Sequence, residues 1–169
     1  MAVVETYGMQ ITGIAFKDVG APAAGAGTAI TGVEESFTIT QADATITDTM
    51  SEFTDAPLVR AIKKGLFEFS FTVAGIDYAA LQPLMGGTWT SGSSLYALPT
   101  TASIIYKKFM ISFGSGIKDI VVYKGQVDTK FEGQDLKGNP LKVTFNVTAL
   151  VDTTGFVDIN SSATARTTW

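Results

Sequence analysis

Apolar and polar residues alternate with a period of two over much of this chain, the spacing of a half-buried β-strand. In FEFSFTV, Phe67, Phe69, Phe71 and Val73 fall on one side, and Glu68, Ser70 and Thr72 on the other. In LKVTFNVTALV, Val143, Phe145, Val147, Ala149 and Val151 alternate with Thr144, Asn146 and Thr148. ESFTIT and ATITDTM alternate as well; residues 41–43 between them read as a turn, or the two run on as one long strand. SIIYKKFMISF and IKDIVVYKGQVDTKFE predict two further strands, with Ser115-Gly116 as the hairpin turn between them. MQITGIAF predicts another near the start.

One stretch departs from this period. In IDYAALQPLM, Ile76, Ala80, Leu81 and Leu84 recur at helical spacing. Asp77 is placed to cap the start and Gly86-Gly87 to end the helix, while Pro83 removes a backbone donor and keeps it short. Many strands and one short helix predict a mainly β fold, a β-sandwich or partial barrel with the helix on one side. Such a fold exposes edge strands, which invite pairing with other chains.

The chain has 169 residues, enough for a single domain spanning 1–169. Two stretches lack a core pattern. Residues 17–33 are rich in Gly and Ala without a period, and read as a long flexible loop or as an arm that orders against a neighbour. Residues 153–169 read as a small-residue tail whose Trp169 is a frayed end or an anchor in a neighbour's pocket.

Composition sharpens this. The apolar fraction is 46% against 17% charged, which suggests apolar surface buried against other subunits. The net charge of −4 argues against a nucleic-acid binder held by phosphate contacts. Residues 1–57 hold eight acids and one base, Lys17; residues 58–142 hold ten bases and six acids. Either these are solvated faces, or an acidic surface on one subunit meets a basic one on the next. No apolar run is long enough to span a membrane, and MAVVETYGMQ lacks the pattern of a signal peptide. The expectation is a product made in the cytosol.

The chain contains neither Cys nor His. That excludes disulfides, thiolate metal sites, a Ser-His-Asp triad and an HExxH zinc site. No Walker-type phosphate loop is present, and Gly25-Ala26-Gly27 lacks the third glycine of a dinucleotide turn. Asp128, Glu132 and Asp135 cluster around Gly133, but not at EF-hand spacing. The sequons at Asn146 and Asn160 carry no weight without a secretion signal. A pair of carboxylates could serve a glycosidase, yet nothing marks such a pair. The expectation is a non-enzyme with no cofactor and no metal.

Residues 34–87 then take on meaning as a unit: an acidic, Thr-rich strand pair, a Pro-containing loop, a basic-Gly step (Lys63-Lys64-Gly65), a strongly alternating strand and a short helix closed by Gly-Gly. This resembles the major tail tube proteins of long-tailed bacteriophages, a family shared with the inner tubes of contractile tails and related injection machines. The resemblance implies homo-hexameric rings stacked into a hollow tube, with inner strands of neighbours joined into one barrel. It implies tape-measure, tail-terminator and baseplate or tail-tip proteins as partners, transient non-specific passage of DNA, no membrane, and residence in the virion. Loops and termini would lock successive rings together. The inter-ring residues expected are Lys17 and Asp18 in the 17–33 loop, Glu52, Asp55, Arg60, Lys63 and Lys64 in a 50–64 loop, and Trp169.

A pore that passes DNA should offer phosphates no ion-pair hold. The polar positions Glu34, Ser36, Thr38, Thr40, Asp43, Thr45 and Thr47 supply such a lining, or else an ordinary solvent face; Asp48 lies on the opposite parity and would need a bulge to join them. The rival expectation is a β-sandwich that binds carbohydrate on a tail tip or cell surface through an exposed platform of Trp89, Tyr96 and Tyr106.

Overall fold

The computed structural model describes residues 11–33, 37–51, 54–63, 65–75, 77–101, 103–114, 117–132, 142–160, 166, 168 and 169; at 45–51, 54–63 and 132 it describes the backbone alone. Among the described residues the fold is mainly β, with one short helix and a large antiparallel sheet. The strands are β1 (Ile11–Asp18), β2 (Thr28–Ile30), β3 (Thr38–Gln41), β4 (Thr45–Ser51), β5 (Thr54–Lys63), β6 (Phe67–Ala74), β7 (Thr88–Thr90), β8 (Leu95–Ala97), β9 (Ile105–Phe113), β10 (Asp119–Glu132), β11 (Lys142–Ala149) and β12 (Val157–Asn160), with α1 (Tyr78–Met85) after β6. The main sheet runs β2-β1-β9-β10-β11-β6-β3, and β12 joins β10 beside β11. β4-β5 and β7-β8 form two-stranded sheets of their own.

The alternating segments do bury one parity. Phe67, Phe69, Phe71 and Val73 of β6 face the core, as do Val143, Phe145, Val147 and Ala149 of β11. Val151 does not: β11 ends at Ala149 and Val151 is exposed. The Phe69 and Phe109 rings meet edge to face with centroids 5.3 Å apart. Their strands, β6 and β9, are separated by two others, about 14 Å in a flat sheet at the usual strand spacing. The contact therefore requires the sheet to curl around its core. β10 supplies a bend at the bulge between Val122 and Gly125. A Cβ at Gly125 would stand 2.5 Å from Val147 Cγ1 and 3.1 Å from the Phe109 ring, so only glycine fits this crossing.

The helix plugs the core with Leu81, Leu84 and Met85. Asp77 caps it as its sequence position predicts: the carboxylate accepts from the Ala79 and Ala80 N–H groups at 3.1 and 3.2 Å. Gly86, at φ 69°, takes the helix end, and its N–H donates to the Gln82 carbonyl.

Four sequence expectations need correction. Residues 17–33 are not one loose loop: β2 pairs with β1, Ile30 is buried, and Val33 bridges Val73. The 50–64 stretch is not a loop either, because β5 fills most of it and pairs with β4. β3 and β4 do not pair with each other across 41–43; β3 joins β6 and β4 joins β5. The stretch from 153 onward is no plain tail, since β12 pairs with β10 over Asp119–Val122. The expected hairpin turn at Ser115-Gly116 lies outside the described residues, although β9 and β10 pair as it requires.

Candidate functional site

The core parity of the curved sheet leaves the other parity of β10, β11, β6 and β3 pointing outward. Cross-strand register sorts those residues into rows. One row is Gln126, Thr148, Glu68 and Thr40; the next is Asp128, Asn146, Ser70 and Thr38; a third is Lys130, Thr144 and Thr72. The hydroxyls tie the rows together. Thr38 and Ser70 share a 2.7 Å hydrogen bond, Thr72 and Thr144 one of 3.0 Å, and Thr148 Oγ1 donates to Glu68 at 3.2 Å. Such opposed pairs fix the register of the strands. A shallow groove of about 210 Å³ lies along Thr38, Thr40, Glu68, Ser70, Asn146 and Thr148.

Of the expected lining residues, Thr38 and Thr40 are exposed on this face. Asp43 is exposed just beyond β3, while Thr45 and Thr47 belong to β4, opposite Lys63 and Ala61. Glu34 and Ser36 lie outside the described residues. The face is also less acidic than expected: against the three acids at these register positions, Glu68, Asp128 and Glu132, stand Lys130 and Lys142. Along the rows Glu68 comes first, then Asp128, then Lys130, and Lys142 stands opposite Glu132 in a fourth, with hydroxyls and amides interspersed. Alternation did mark Glu68, Ser70, Asn146 and Thr148 as polar positions. Only strand order, which alternation does not encode, places them beside Thr38.

The expected inter-ring residues separate into unlike settings. Asp55, Arg60 and Lys63 sit in β5, with Arg60 opposite Asp48; Glu52 and Lys64 lie outside the described residues. Asp18 is exposed and pairs with Lys107. Lys17 and Trp169 meet each other. Trp169 is 4% exposed, buried on its own chain rather than frayed or free for a neighbour. Its N–H donates to the Ala23 carbonyl at 2.9 Å, and Lys17 Nζ lies 4.4 Å from its ring centroid and donates to its carbonyl at 3.1 Å.

This contact belongs to a second site, whose other members, Lys108, Asp119, Asp158 and Arg166, no sequence motif marks. On the outer side of β1, β9 and β10, Lys17 stands opposite Lys108, and Val121 and Trp169 are buried without belonging to the main core. Asp119 is fully buried there. It accepts from Asn160 Nδ2 and from the Arg166 backbone N–H, both at 2.8 Å, and Arg166 Nε lies 3.3 Å from its other oxygen. Asp158 accepts from the Tyr123 hydroxyl at 2.7 Å and from Arg166 Nη1 at 3.3 Å. That carboxylate, as a hydrogen-bond acceptor, holds the Tyr123 phenol above its usual pKa. Burial, with Lys17 alongside, pulls the Lys108 ammonium below the usual lysine pKa. Among the described residues, Asp119 Oδ1 and Trp169 Nε1 find no hydrogen-bond partner.

The aromatic candidates do not make a flat platform. Tyr78 stacks between Trp89 and Tyr96, with centroids 5.7 and 5.2 Å away, and Tyr106 lies apart under Lys124. Asp128 is exposed on β10, and among the described residues no group of three or more potential ligands could hold a metal ion. No protein-family model matches the chain, and a search of curated proteins finds no match.

Proposed function

We propose that this chain is a structural virion protein, the subunit of a phage tail tube that assembles as stacked hexameric rings, and that it has no enzymatic role. The hydroxyl face of β10, β11, β6 and β3 carries the reading. It is broad, polar and nearly charge-balanced, and it ends at β3, which among the described residues pairs only with β6. An unpaired edge at the margin of such a face suits continuation of the sheet into the next subunit. Around a lumen, hydroxyls and offset charges give passing DNA little to hold. Leu95, Leu98 and Ile104 add exposed apolar surface near the β7-β8 hairpin and the start of β9, of the kind that self-association covers. Tape-measure, terminator and baseplate or tail-tip proteins are the partners this role entails, and the virion is the location.

Electron microscopy of the purified protein across a concentration series tests this. Rings and tubes are the expected result, fewer as salt rises if charged surfaces meet between rings. Dispersed monomers at every concentration would overturn the proposal. The carbohydrate-binding alternative finds less support, because Tyr78 already covers one face of the Trp89 ring.

A further inference from the structure

We propose that the main-chain oxygens of Pro22, Ala23, Ala24 and Trp169 form a binding site for one monovalent cation of ammonium or potassium size, and that Lys17 fills it in cis and so orders the 19–27 arm. The site does not depend on assembly.

Lys17 Nζ lies 3.5 Å from the Pro22 oxygen, 3.2 Å from that of Ala23, 3.5 Å from that of Ala24 and 3.1 Å from that of Trp169. A lysine ammonium has three N–H donors, fewer than the oxygens that converge on this one. At least one donor is therefore shared, and the contact is closer to coordination of an ion than to a set of directed hydrogen bonds. The Trp169 ring, with its centroid 4.4 Å from Nζ, closes another side of the cup with its negative π face. Carbonyl oxygens gathered in this way replace the hydration shell of a monovalent cation. Calcium and magnesium take oxygens at about 2.0–2.6 Å, well inside the distances of this cup.

The local sequence explains why the arm is built around a cation. KDVGAPAAGAG carries no charge after Asp18, and Asp18 itself pairs with Lys107. Residues 22–29 are exposed, so burial contributes little to holding them. The Ala21 N–H donates to the Asp18 carbonyl at 3.1 Å and turns the chain back toward Lys17, which brings three successive carbonyls to one point. Their negative ends repel one another unless a positive charge stands between them. On the return, Gly27 presses against the Lys17 stem: a Cβ there would stand 3.0 Å from Lys17 Cγ and 2.8 Å from Trp169 Cζ2. The Trp169 N–H donates to the Ala23 carbonyl at 2.9 Å, so a filled cup orders the arm and Trp169 together.

Two variants separate a cation site from a simple loss of contact. Lys17→Ala empties the cup and leaves room for an ion, while Lys17→Met removes the charge but keeps most of the stem in place. Hydrogen exchange at the Trp169 N–H reads the site, with β6 amides as the internal reference. In choline chloride, both variants should exchange there about tenfold faster than wild type or more, the effect of losing one hydrogen bond from a charged donor. Ammonium or potassium chloride at the same ionic strength should restore protection in Lys17→Ala and change nothing in Lys17→Met or wild type. Wild-type protection in Lys17→Ala overturns the proposal, as do equal effects of all three salts or equal rescue of Lys17→Met. Should Lys17→Ala not fold, the wild-type Lys17 ammonium signal in NMR decides. Slow proton exchange with cross-peaks to Ala23 and Trp169 is expected, and a Lys17 ammonium that exchanges as fast as a solvated one overturns the cup.

Discussion

Replacing Asp119 by Ala removes a fully buried carboxylate that accepts hydrogen bonds from the Asn160 amide and the Arg166 backbone N–H and forms an ion pair with the Arg166 guanidinium. Breaking a buried pair by deleting one partner costs about 3–5 kcal/mol when the surviving charge stays buried. Here the Arg166 side chain keeps 29% exposure and a 3.3 Å contact to Asp158, so water and a second carboxylate relieve part of that cost. The expected loss is therefore at or just below the lower limit of that range, about 2–3 kcal/mol. At about 2–4 °C per kcal/mol for a domain of this size, thermal unfolding should fall by roughly 4–12 °C. Asp119→Asn should fall in between, because its amide keeps one acceptor oxygen. Calorimetry gives the midpoint, and hydrogen exchange shows where the loss sits: β12 amides should lose protection before those of β6. A midpoint within 2 °C of wild type, with β12 protection unchanged, would refute the view that Asp119 clamps this segment.

Phe71→Ala empties a fully buried site stacked on Phe145 and should cost about 3–5 kcal/mol in urea unfolding. Asp77→Ala removes the acceptor for two helix N–H groups and should cost about 1 kcal/mol by the same assay, with the loss confined to α1 in hydrogen exchange. Lys108→Met should raise stability at pH 7, because the fold disfavours the buried ammonium. The sign with pH follows from the lowered pKa. The unfolded chain binds the proton more tightly, so the wild type gains stability as pH rises through the folded pKa toward 10.5. Urea midpoints at pH 7 and pH 10 should show the advantage of the Met variant shrinking; a constant gap would count against a desolvated Lys108.

How much of this was legible in the sequence depended on whether the information was local. The β6 and β11 core positions and the Asp77 cap were, because a period of two and a capping position are written within a few residues. β5 was not: TDAPLVRAIK carries Pro57 and no clean alternation, and it becomes a strand through pairing with β4. β2 and β12, three and four residues long, are likewise strands because β1 and β10 give them partners. The separation of β3 from β4 turns on contacts such as Ala42 N–H to the Leu66 carbonyl, which no local pattern records. Trp169 is the extreme case, since its partner Lys17 lies 152 residues away. The hydroxyl face was half visible for the same reason: each strand announces its polar parity, and only the sheet order makes four polar parities one surface.

Cryo-electron microscopy of particles formed by the purified protein shows directly where that surface lies. If the chain is a tube subunit, six-fold rings with Thr38, Thr40, Glu68, Ser70, Asn146 and Thr148 lining the lumen are expected. Rings that turn this face outward, or a protein that stays monomeric at every concentration, would contradict it.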